Sequence, residues 1–188
     1  MRAALPNDHK LVVDLLARAF QDNPSVNAVI GDGPLKWKRI DAIMDYAFKM
    51  SHLFGRVYLS DDRKACALTL YPHQQKTSLQ SLWLLVQLVS RIGISTALRV
   101  MKRDKPMQKI KPLEDMVYLA FIGVDPGAQG KGIGGALLQK ILADARKEHF
   151  PVYLETSVFS NTLFYQKYGF DIYAQLDLGY ILYFLRRP

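Results

Sequence analysis

A nearly unbroken apolar run, Met116 to Val124, leads into a glycine-rich stretch, Gly127 to Gly135, and then into a periodic segment, Ala136 to His149. No other feature constrains the fold as tightly. An apolar run without alternation is the pattern of a strand buried on both faces. Behind the glycines, Leu137, Leu138, Ile141, Leu142 and Ala145 recur on one side of a helix. A strand, a glycine turn and a helix in that order require a sheet covered by helices, which is a layered α/β architecture.

The rest of the chain supplies the partners. Leu11, Leu15, Leu16, Ala19 and Phe20 give the stretch Asn7 to Phe20 helical spacing, ending near Asn23-Pro24. A second periodic stretch, Leu35 to Phe54, follows the turn Gly31-Asp32-Gly33-Pro34. Val57 to Ser60 and Ala65 to Tyr71 read as a hairpin around a polar turn. Thr77 to Arg103 reads as one long helix with an apolar face, begun by the capping-box spacing of Thr77 and Gln80. Beyond Val152 to Thr156, a strand, come a short helix, Asn161 to Tyr168, closed by Gly169, and two last strands, Phe170 to Leu176 and Tyr180 to Leu185. The expectation is one domain over residues 1–188, with a mixed sheet and a helical insertion at about 77–111 between the third and fourth strands.

Composition excludes several classes. With 188 residues, 49% hydrophobic and 22% charged, the chain is neither disordered nor fibrous. One cysteine, Cys66, rules out an internal disulfide framework and reads as a small core residue. The four histidines have no metal-ligand spacing, so no metal is expected. No signal-peptide series opens the chain, which makes the cytoplasm the default expectation. The net charge of +8 is concentrated: Arg99, Lys102, Arg103, Lys105, Lys109 and Lys111 stand against Asp104 alone. Such a run reads as a solvated helix end, the alternative being a membrane-surface site. Aromatics do not interleave with it, which argues against nucleic acid. The longest apolar run nearby, Leu82 to Val86, is too short for a stable span.

The glycine stretch carries the chemistry. In Gln129-Gly130-Lys131-Gly132-Ile133-Gly134 the glycines let backbone N–H groups turn toward a ligand, and the following helix adds a partial positive charge. This suits a pyrophosphate. The nucleotide P-loop is excluded, because Asp125 stands where its first glycine belongs and Gly132 follows Lys131. Gly130 to Gly135 satisfies the letters of the dinucleotide fingerprint, yet it does not start the fold and no acidic residue follows at a strand end.

Two blocks resemble the GNAT superfamily of acetyl-CoA-dependent N-acetyltransferases. One is Ala120-Phe121-Ile122-Gly123-Val124-Asp125-Pro126 followed by Gln129-x-x-Gly132-x-Gly134. The other is Leu154-Glu155-Thr156-Ser157, then Asn161, then Phe164-Tyr165-Gln166-Lys167-Tyr168-Gly169-Phe170, which is similar to the puromycin N-acetyltransferase branch. Together they span about a quarter of the chain, and the N-terminal half carries no matching motif. The resemblance implies an acyl-CoA N-acyltransferase fold and acetyl transfer to a primary amine of a small molecule or peptide in a ternary complex. It implies that backbone groups of Gln129, Gly130, Lys131, Gly132, Ile133, Gly134 and Gly135 hold the pyrophosphate of acetyl-CoA. Backbone groups of Ile122, Gly123 and Val124 would pair with the pantetheine arm, and Asn161 and Tyr165 would face the same cofactor.

Acetyl transfer from a thioester needs a base for the amine and a proton for the departing thiolate. A tyrosine, with its ordinary pKa near 10, can hold that proton at neutral pH. Tyr165 matches the family's tyrosine and is the expected acid. Glu155, a carboxylate on an otherwise apolar strand, is the candidate base, with Glu114, Asp115 or a water chain as rivals. His73 is a weaker acceptor-side candidate. Two other readings stay open: a non-catalytic coenzyme A sensor, and a surface binder using the basic run. The apolar face of the Thr77 to Arg103 segment needs a cover, which the domain itself, a second subunit in a homodimer, or a bulky amine against Trp83, Val86 and Ser90 would supply.

Overall fold

The computed structural model describes residues 1–188 in full. Seven strands form one sheet: β1 (Arg2–Ala3), β2 (Gly55–Leu59), β3 (Ala65–Leu70), β4 (Val117–Val124), β5 (Val152–Thr156), β6 (Asp171–Asp177) and β7 (Ile181–Arg187), in the spatial order β1-β2-β3-β4-β5-β7-β6. Every neighbouring pair is antiparallel except β4 with β5. This is the expected mixed sheet flanked by helices.

Helices cover both faces. On one lie α1 (His9–Phe20), α2 (Pro24–Ile30) and α3 (Lys36–Phe54), and the other carries α6 (Ile133–Lys147) and α7 (Phe159–Gln166). Strand β3 shows why its sequence is apolar throughout: Cys66 and Leu68 enter the first core with Leu16, Ile40 and Met44, while Ala65 and Ala67 enter the second with Leu137, Leu138 and Ile141. Cys66 is fully buried, and burial pushes its thiol up to about 12, so it is an inert core residue.

Three details depart from the sequence reading. A helix, α2, begins at the Asn23-Pro24 pair that was expected only to end α1. Asn23 Oδ1 accepts the Val26 N–H at 3.1 Å and Pro24 occupies the first helical turn, so the pair stops one helix and caps the next. The single long helix expected over Thr77 to Arg103 is two, α4 (Leu79–Ile92) and α5 (Ile94–Gln108), meeting at 117°. Gly93 makes the corner with φ +83°, a conformation that L side chains rarely adopt. The N-cap is also Ser78 rather than Thr77: Ser78 Oγ accepts the Ser81 N–H at 3.1 Å, and Ser81 Oγ accepts the Ser78 N–H at 2.9 Å. The third departure is β1, too short to show as a pattern.

Strand β1 is pinned by charge. The Arg2 guanidinium donates to both carboxylate oxygens of buried Asp8, at 2.7 and 3.0 Å, and the Leu5 N–H adds a third bond at 2.8 Å. These donors hold the Asp8 carboxyl down at about 2. A carboxyl that titrates lower in the folded chain than in the unfolded one contributes stability above about pH 4, which disappears as pH falls toward 2. Asp8→Asn should therefore lower Tm by a few degrees at pH 7, with the gap to the parent protein closing by about pH 2. Thermal unfolding followed across that range measures it, and a gap independent of pH would reject the assignment.

Candidate active site

The site is opened by two strands that part. Strands β4 and β5 pair only at Val117 with Val152 and Tyr118 with Tyr153. Beyond Tyr118, β4 stays bonded to β3, and beyond Tyr153, β5 stays bonded to β7. A bulge assists the departure: Leu68 pairs with Phe121 and Thr69 with Leu119, so Ala120 is an extra residue on β4. From Leu119 onward one edge of β4 has no strand partner, and its backbone is free to bond something else.

A cavity of about 430 Å³ fills the fork. Ile122, Glu155, Asn161 and Tyr165 all line it, so four residues singled out in the sequence converge on one space. Gly123 instead lies beneath α1, where an added Cβ would sit 3.0 Å from Ala19 Cβ and Leu16 Cδ2, so its lack of a side chain serves helix packing. The rivals for the base lie elsewhere. The Tyr153 hydroxyl bonds Glu114, which lines a separate cavity with Arg146 and Arg186. Asp115 sits 3.8 Å from His73, and neither borders the fork.

Glu155 points from β5 into a ring of polar groups. Lys111 Nζ stands 3.4 Å from its carboxylate and 4.2 Å from the centroid of the Tyr118 ring. Burial first, then the Glu155 charge, pushes the Tyr118 phenol well above its ordinary value, and the same two causes move Tyr173 up to about 12. Tyr165 is different. It is buried between Phe164 and Phe170, and burial alone raises its phenol above the usual range. It is thus a protonated hydroxyl at the cavity wall at any physiological pH.

At the end of β4 the chain makes a single helical turn, Pro126–Ala128, capped by Asp125 Oδ1 at 3.0 Å from the Gly127 N–H, and then enters the glycine loop. Gly130 and Gly132 have φ of +76° and +77°. A Cβ at Gly132 meets no atom within 4 Å, so the requirement is one of backbone conformation, not of space. The first α6 bond runs from the Ala136 N–H to the Gly132 carbonyl, which leaves the N–H groups of Ile133, Gly134 and Gly135 without helical partners. No acidic side chain occupies the first turn, and Lys131 is exposed beside it. Gly135 also lets α6 pass the Tyr168 hydroxyl, which would lie 2.0 Å from an added Cβ.

Several lining residues were not legible as site residues. Helix α5 brings in Arg103, Asp104 and Met107, while Asn23 and Ser25 arrive from the start of α2. The basic run expected to be solvated is divided: Arg99 Nε donates to the Val29 carbonyl at 2.9 Å, Arg103 pairs with Asp104 at 2.7 Å, and Lys111 pairs with Glu155. Lys102, Lys105 and Lys109 remain exposed. Trp83, Val86 and Ser90 do not line the cavity, because the opposite side of α4, with Leu88 and Ile92, does.

Comparison with known proteins agrees with this geometry. Residues 91–172 match the acetyltransferase (GNAT) domain. Over 100% of this chain and 94% of the other, the structure resembles a histone acetyltransferase HPA2 and related acetyltransferase from Corynebacterium glutamicum, with TM-score 0.77 and 20% identity. Arylalkylamine N-acetyltransferase 2 from Aedes aegypti aligns over 99% of this chain and 96% of its own, with TM-score 0.64 and 13% identity. An N-acetyltransferase from Staphylococcus aureus Mu50 aligns over 99% and 98%, with TM-score 0.61 and 16% identity. Identities this low speak for the fold, and the matches do not single out the puromycin N-acetyltransferase branch. The domain match takes in the forked strand β4, the glycine loop and the helix of Tyr165, and over its whole length the chain has a fold similar to that of these acetyltransferases.

Proposed function

We propose that the protein transfers an acetyl group from acetyl-CoA to a primary amine carried by a small molecule or peptide, both substrates being bound together in the fork. The observation that carries this reading is that Glu155 and Tyr165 line one cavity, opened by the parting of β4 and β5; Gln129 to Gly135 do not border that cavity and lie where the chain runs from β4 into α6. The residues present fit acetyl-CoA. Three partnerless N–H groups, Ile133 to Gly135, and a loop shaped by Gly130 and Gly132 suit a pyrophosphate, with Gln129 and Lys131 alongside. The free β4 edge around Ile122 to Val124 suits an amide-bearing arm, and Asn161 flanks it. Bound acetyl-CoA supplies the activated acetyl thioester.

The chain's own groups then manage the protons. Glu155 is placed to take the proton that the attacking ammonium must lose. Tyr165 holds a proton that a departing thiolate, ordinarily near pKa 8.5, can take. The cavity is lined largely by apolar side chains, Phe20, Ile43, Tyr46, Met50 and Phe121 among them. An amine with an apolar or aromatic body fits that lining. We place this reaction in the cytoplasm as part of the proposal.

A panel of amines supplied with acetyl-CoA and followed by free thiol release tests the function. Turnover of apolar primary amines is the expected result, and acetyl-CoA binding without turnover of any amine would support the sensor reading instead. Gly132→Val should weaken acetyl-CoA binding more than tenfold, or about 1.4 kcal/mol, by denying the loop its left-handed residue. Calorimetry on a variant with unchanged circular dichroism measures this. Tyr165→Phe should lower kcat by about 10²-fold or more while leaving acetyl-CoA affinity in place, and Glu155→Gln should do the same with the loss recovering at high pH. A Tyr165→Phe enzyme within twofold of the parent, under conditions where chemistry limits turnover, would remove Tyr165 from the mechanism.

A further inference from the structure

Helices α4 and α5 have two unlike sides. The inner side is used: Leu84, Ile92 and Met107 are buried, and Leu88 and Val100 line the cavity. The outer side is not covered. Leu79, Trp83 and Val86 on α4, and Ile94, Leu98 and Met101 on α5, are between 56% and 88% exposed. In each trio the spacing is four residues, then three, which lines the side chains along one face of its helix. An exposed apolar surface of this kind marks a contact with something.

Charge says what kind. From Lys76 to Lys111 the chain has eight Lys and Arg residues and one acid, Asp104, a net +7 out of the chain's +8. Asp104 is bonded to Arg103 and turned toward the cavity. Lys102, Lys105 and Lys109 are exposed and continue the outer side of α5 directly after Met101. A two-fold contact with a second copy would set one such hairpin against another, and like charges would oppose it. A nucleic acid would satisfy the lysines and leave Leu79, Ile94, Leu98 and Met101 against phosphates. A surface that is anionic at its face and apolar just below satisfies both sets.

Length and shape decide the depth. The helices have 14 and 15 residues, roughly 21–23 Å each, against a hydrocarbon core of about 30 Å. No single helix is long and apolar enough to cross a membrane, and the pair passes that test only across its 117° bend. Such a pair lies along an interface. We infer that the α4–α5 hairpin docks on an anionic lipid surface, with the two apolar trios at the headgroup–acyl boundary and Lys102, Lys105 and Lys109 against the headgroups.

The test uses the full chain and vesicles of phosphatidylcholine alone or with 30 mol % phosphatidylglycerol. In a Trp37→Phe background Trp83 is the only tryptophan. Its emission should shift to the blue with phosphatidylglycerol vesicles and stay unchanged with phosphatidylcholine. Co-sedimentation should weaken steeply with salt and fall roughly fivefold for each of Lys102→Gln, Lys105→Gln and Lys109→Gln. The pair Leu98→Glu and Met101→Glu should reduce partitioning more than tenfold while acetyl-CoA affinity, which also reports folding, stays constant, since neither residue lines the cavity. Three results would overturn the inference: no binding to the anionic vesicles, binding indifferent to the Leu98 and Met101 changes, or a stable dimer that those changes dissolve. Binding to RNA that survives them would assign the lysines to nucleic acid.

Discussion

The pairing of β4 with β5 through only two registered residue pairs is the constraint on which the rest of this structure depends. A fully zipped parallel pair would seal the middle of the sheet. Here the zip stops at Tyr118 and Tyr153, and the two halves are held instead by β3 on one side and β7 on the other. The cost is an unpaired backbone edge in the centre of a buried sheet, a feature that natural sheets avoid unless something occupies it. The extra residue at Ala120 directs β4 away at the same level. The fork, the exposed N–H groups that begin α6 and the buried phenol of Tyr165 are thus successive stations along one chain segment.

Helix α5 completes what the fork begins. Met107 packs with Leu182 and Phe184 of β7, so the hairpin is anchored to the far half of the sheet. That anchorage places Arg103 and Asp104 at the cavity and Lys111 between Glu155 and Tyr118. The Glu155 carboxylate is therefore desolvated in company, with a cation beside it and tyrosines around it, and this company offsets the burial of a charge in an apolar strand. Polarity also divides the hairpin by side: the cavity wall is built by its inner residues, while its outer residues stay unmatched by anything in the chain itself.

How much of this was legible in the sequence follows from the range of the interactions involved. Local signals spoke for local structure. The unbroken apolar run before the glycines announced a strand buried on both faces, and the spacing of Leu137, Leu138, Ile141 and Leu142 announced the helix after it, because core burial leaves a periodic imprint. Left-handed turns favour glycine whatever surrounds them, so Gly130 and Gly132 marked the loop without help from context. Asn23-Pro24 and Gly93 were local signals too, the first signifying a start as well as a stop and the second a corner inside an apolar stretch; both are short and compete with longer hydrophobic patterns that run past them.

The sequence by itself therefore determined the elements, the glycine loop at the head of α6 and the candidacy of Glu155 and Tyr165. Only the tertiary structure decided that these two share a cavity while Glu114 and Asp115 do not, that Lys111 stands beside Glu155, and that Trp83 faces outward and Leu88 inward. Those outcomes turn on where β4 leaves β5 and on how α5 seats against β7. Both are contacts between residues far apart in the chain, and such contacts leave no periodic trace in either partner alone.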